Sequence, residues 1–112
     1  TVFHPGDSCD WQGIAGTVVD LQGKPVVGVL VRLTGFYDGR TIEMNTLSGG
    51  ASAWYGESGY EFILGFKPIE STATLAVQLF DQAMMPISNR VIVDTTPDCD
   101  KNLILVNFKQ VR

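Results

Sequence analysis

Apolar and polar residues alternate at period two through most of this chain. Val27, Val29, Val31 and Leu33 fall on one side of a run that ends near Gly35, with Gly28, Leu30, Arg32 and Thr34 on the other. A strand with one face on a core and one nearer water needs that pattern. Residues 13–20 set Ile14, Gly16 and Val18 against Ala15, Thr17 and Val19, and residues 41–46 present Ile42 and Met44. Tyr60, Phe62, Leu64 and Phe66 share a face, as do Leu75, Val77 and Leu79, and then Val91 and Val93. In residues 102–109 both faces are apolar, Leu103 and Leu105 against Ile104, Val106 and Phe108, which predicts a central strand covered on two sides. No segment keeps a helical period over three turns.

Turn chemistry separates these runs. Gly23 can take the positive φ of a tight turn, and Pro25 stands at the entrance of a strand, where a missing N–H costs least. Residues 36–40 read as a turn, 48–53 as a flexible surface loop, and Trp54 with Tyr55 as a short strand or an aromatic loop. The sum is an all-β chain: a two-sheet Greek-key β-sandwich of seven to eight strands, with a closed barrel as the other architecture. Residues 1–112 make one domain, and residues 1–10 form a polar lead-in tied down at Cys9.

Gly16, Val18, Asp20, Gly23, Pro25, Gly28, Val29, Val31 and Leu33 together resemble the opening of carboxypeptidase regulatory-like domains. These are transthyretin-like (prealbumin-like) sandwiches, similar in turn to immunoglobulin-like modules and to the B-type repeats of bacterial surface adhesins. Ser58-Gly59-Tyr60-Glu61-Phe62 resembles the aromatic strand of that family in a shifted position. The resemblance implies a non-catalytic module that serves as a spacer, an accessory to a neighbouring domain or an adhesion surface in a larger secreted or surface protein. The adhesin relatives also imply an internal Lys–Asn isopeptide with the Lys on the first strand. Asn102 and Asn107 are available, but residues 13–20 contain no Lys, so no such crosslink is expected.

Composition narrows the function further. The chain is 45% hydrophobic with a net charge of −4, and its Lys and Arg residues are scattered singly. Nucleic acid binding rests on a basic stripe that displaces counterions, and the sequence shows none. No window approaches the roughly 18 apolar residues of a membrane span. Cys9 precedes the first strand and Cys99 the last, a spacing foreign to metal knuckles and suited to a disulfide in an oxidising, extracellular setting.

Candidate chemistry is sparse. His4 is the single histidine and sits in the lead-in, so no nucleophile has a positioned base, and no enzyme is expected. Glu43, Glu57, Glu61 and Glu70 fall on outer faces or loops, where carboxylates are solvated. A Cys9–Cys99 bond would bring Asp7 and Asp10 beside Asp98 and Asp100, an oxygen-rich set suited to Ca²⁺. Phe36, Tyr37, Trp54 and Tyr55 stand at turns or edges, where exposed rings stack on a sugar or a partner protein. Sequence alone thus leaves two functions open, a structural or adhesion module and a carbohydrate-binding module.

Overall fold

The alternating runs become strands, and their apolar faces close on one another in two layers. The computed structural model describes residues 9–110. In chain order these form β1 (Gln12–Gly16), β2 (Val18–Val19), β3 (Leu30–Tyr37), β4 (Arg40–Leu47), α1 (Ser52–Tyr55), β5 (Tyr60–Gly65), β6 (Ser71–Phe80) and β7 (Val91–Thr95). A 3-10 turn (Cys99–Lys101), β8 (Leu103–Leu105) and β9 (Phe108–Lys109) complete them. One layer is the antiparallel sheet β4-β3-β6-β7; the other is β5-β1-β8, continued by the pair β2-β9. Ile14, Val31, Leu33, Tyr60, Leu75 and Val77 are fully buried between them.

The first and last described strands lie side by side. β1 pairs with β8, and β2 with β9, both in parallel, and every matched pair is separated by the same interval: Gly13 with Leu103, Val19 with Lys109. Cys9 and Cys99, at disulfide distance with Cα atoms 4.9 Å apart, share that interval of 90 residues. The disulfide therefore sits in register with the ladder it heads. Between β1 and β2 the ladder is bridged without a slip. Asn107 Oδ1 accepts from Thr17 N at 3.0 Å, standing in for a backbone carbonyl. Gly16 permits the approach, because a Cβ there would lie 1.8 Å from the Val106 carbonyl oxygen.

The strands depart from the sequence pattern at several points. The last run is an edge strand and not a central one; β1 is central, and all five of its residues are buried. Leu105 on the outer face of β8 is exposed. β3 begins at Leu30, because Gly28 at φ 89° turns the chain, which leaves Val27 outside the sheet and 59% exposed. Residues 36–40 are not a turn: β3 and β4 pair through Tyr37 and Arg40, so only Asp38 and Gly39 connect them. Their φ values of 52° and 78° fit a two-residue hairpin turn whose twist matches the strands. Ser48, expected in a flexible loop, is buried, with its hydroxyl donating to the Val26 carbonyl and accepting from Val29 N. Phe66 lies one residue beyond β5 and turns out to solvent.

Candidate functional site

Two loops at one end of the sandwich are copies of each other. Residues 20–25 and 81–86 both read Asp, four residues, Pro. In the first, Asp20 Oδ1 accepts from Gln22 N and Lys24 N, both at 2.9 Å, while Asp20 N donates to the Lys24 carbonyl. In the second, Asp81 Oδ1 accepts from Ala83 N at 2.9 Å and Met85 N at 3.0 Å, and Asp81 N donates to the Met85 carbonyl. Each proline bridges back to the residue before the aspartate, Val19 with Pro25 and Phe80 with Pro86. The fourth residue has positive φ in both, 81° at Gly23 and 62° at Met84. Each carboxylate is thus occupied in holding its own loop, and Leu21, Met84 and Met85 stand exposed on the loops beside Gln22, Lys24 and Gln82.

Those residues change the surface at this end. Leu21, Val27, Leu47, Trp54, Met84, Met85 and Ile87 are seven of the twelve exposed large hydrophobic side chains among the described residues. Between the loops the layers part into a groove of about 990 Å³, floored by Val18, Val26, Val29, Leu79, Ile87 and Phe108, with Lys109 at the rim. The sequence carried a signal for this end in its repeated Asp-x-x-x-x-Pro. Each copy follows two apolar residues and precedes another, and reading the copies together would have paired the loops.

The four aromatic candidates do not form one platform. Phe36 and Tyr37 close β3 beside the hairpin tip, whereas Trp54 and Tyr55 lie on α1, beyond the far end of β4, about 23 Å of strand away. Phe36 is exposed on the outer face. Tyr37 is only 2% exposed and its hydroxyl donates to Gln12 Oε1, so it cannot be a displayed ring. Trp54 is 55% exposed; Tyr55 is half-buried and donates to Glu61 Oε2 at 2.6 Å. Burial raises the Tyr37 hydroxyl, with Asp38 adding to the shift and Arg40 opposing it. Burial also raises Tyr55, reinforced by the Glu61 hydrogen bond, and raises Tyr60, whose hydroxyl donates to the Val106 carbonyl.

The acidic quartet is not assembled among the described residues. Asp7 lies outside them, as does His4. Asp98 Oδ1 accepts from Asp100 N at 2.9 Å and so caps the 3-10 turn. Among the described residues no three His, Cys, Asp or Glu side chains form a group suited to a metal ion. No helix there is long and apolar enough to cross a membrane. The buried polar side chains Gln12, Ser48, Ser58 and Thr95 all hydrogen-bond backbone groups, which gives them structural work.

No family model and no curated protein matches the chain. Among solved structures it is similar to the dioxygenase domain of a dioxygenase and carbohydrate-binding protein fusion from the cellulolytic bacterium Streptomyces sp. SirexAA-E. The TM-score is 0.54 at 12% identity, over 96% of this chain and 84% of that one. A 9R-lipoxygenase from Cyanothece PCC8801 matches at TM-score 0.44 and 10% identity, over 91% of this chain and 16% of that one. The first likeness is one of fold: a mostly β, sandwich-like arrangement.

Proposed function

We propose that this chain is a non-catalytic, exported β-sandwich module of the transthyretin-like kind, acting as a structural and interaction unit of a larger protein. The observation that carries the reading is the loop end, where two self-held Asp-x-x-x-x-Pro loops and α1 display Leu21, Met84, Met85 and Trp54, with Val27, Leu47 and Ile87 exposed next to them. Contiguous apolar surface is costly to leave in water and marks contact surfaces on soluble proteins. Methionine at such a surface adapts to its partner's shape. A cystine in register with the terminal strands supports an oxidising compartment. The fold shared with a dioxygenase domain does not bring that activity here, because function is a property of sites and not of folds.

Photocrosslinking tests the reading. A photoreactive side chain at Met85 of the full-length protein is expected to capture a neighbouring domain or partner, whereas one at Glu43, on the outer face of β4, captures neither. Equal capture from both positions, or none from Met85, would refute it. The exposed Trp54 ring favours a second reading, carbohydrate binding through a single stacking residue. Glycan-array binding that disappears in Trp54→Ala would establish it, and binding that survives would remove it.

A further inference from the structure

The end of the sandwich opposite those loops holds a separate cleft of about 580 Å³, between the β3–β4 hairpin and the exit of β5. That volume is within the usual range of small-molecule sites. Its floor is apolar, formed by Met44, Leu64, Ile69 and the Tyr37 ring. The floor is also fixed: Gln12 Oε1 accepts from both the Tyr37 hydroxyl and Ile69 N, and Gln12 Nε2 donates to the Thr96 carbonyl at 3.0 Å. Phe66 forms one wall and is 80% exposed, the highest value among the large apolar side chains described. Gly65 keeps the space open. A Cβ there would meet nothing nearer than the Tyr37 ring at 3.9 Å, so a side chain is tolerated and would occupy the cleft.

The charge at the mouth is what selects an occupant. Arg40 and Lys67 both line it, and neither forms an ion pair with a described residue; Arg32, by contrast, is held by Glu43 at 2.7 Å. Asp38 is the one carboxylate in the lining, so the mouth carries a net positive charge on a chain whose net charge is −4. A guanidinium and an ammonium that both line an apolar cleft match a carboxylate attached to a flat hydrocarbon body. The geometry points to a binding site for a small aromatic carboxylate, with its ring between Phe66 and the floor and its anion between Arg40 and Lys67. The site shares no residue with the loop end.

Naphthoate, titrated into nitrogen-labelled protein at neutral pH, tests this by amide chemical shifts. Saturable shifts are expected in residues 37–40, 64–67 and 69, and neutral naphthalenemethanol is expected to bind several-fold more weakly. Arg40→Gln and Lys67→Gln should each weaken naphthoate by about threefold to fivefold, the size of a solvent-exposed charge contact. Asp38→Asn should strengthen it. Gly65→Val leaves the charges in place and should abolish binding while the spectrum stays folded. The proposal is overturned if no saturation is reached by about 1 mM naphthoate, a free energy near −4 kcal/mol. Shifts confined to the groove between the paired loops would overturn it equally, as would Gly65→Val binding like wild type.

Discussion

Gln12 shows how much one buried side chain can organise. Its amide joins the Tyr37 hydroxyl, the Ile69 backbone and the Thr96 backbone, and so ties β1 of one sheet to three segments of the other, which strand pairing does not do. Gln12→Met keeps the volume but strands two donors and one acceptor in a dry environment. A loss of about 3 kcal/mol is expected by urea denaturation, with the slope of the transition unchanged. Met84 presents the opposite case, a large side chain at φ 62° where its sibling loop has Gly23. Met84→Gly should raise stability by up to about 1 kcal/mol, because the left-handed conformation costs glycine little. Neither residue was legible as special in the sequence. Gln12 stands one residue ahead of the run read as the first strand, and its burial follows from partners that arrive from distant segments. Tyr37 was misplaced for a different reason: Asp38-Gly39 alone suffices for a hairpin turn, so the strands extend to its shoulders.

At the scale of elements, alternation was a good guide to strands and a poor guide to their neighbours. The inward faces of β5 and β6 fall where period two places them, at Tyr60, Phe62 and Leu64 and at Leu75, Val77 and Leu79. The terminal run was apolar on both faces, and its place at an edge could not be read, because pairing partner is a long-range property. The parallel ladder between β1–β2 and β8–β9 depends on two residues whose roles are local and testable. Gly16→Ala places a methyl against the Val106 carbonyl and should cost at least about 2 kcal/mol. Asn107→Ala removes the acceptor for Thr17 N, with an expected loss of about 1 kcal/mol. In hydrogen exchange, the Thr17 amide should lose protection in the Asn107 variant while Val31 and Val77 keep theirs; uniform protection loss would deny the local role.

For the whole molecule, the tyrosines form a collective sensor of alkaline pH. All three hydroxyls are raised on folding, each chiefly by burial. The folded chain therefore keeps protons that the unfolded chain releases near pH 10. This contribution to stability is complete below that value and is lost as pH climbs through the raised range. Tyrosinate absorbance should appear in one cooperative step together with loss of the β circular-dichroism signal. A gradual titration centred near pH 10 in folded protein would contradict the burial of these groups. Reduction of the cystine should lower stability by about 4–5 kcal/mol at most, the chain-entropy value for a loop of this size.

The constant interval between matched residues of the two terminal segments has a temporal consequence. A chain delivered from its N-terminus presents the central strand of one layer first and that strand's outer neighbour last. Until residues 103–109 emerge, one flank of that layer stays open to misdirected pairing. The sandwich thus closes only after its last strand has been made, and the thiols at positions 9 and 99 become neighbours only once the 90 residues between them are present. Their oxidation records that this sandwich has closed.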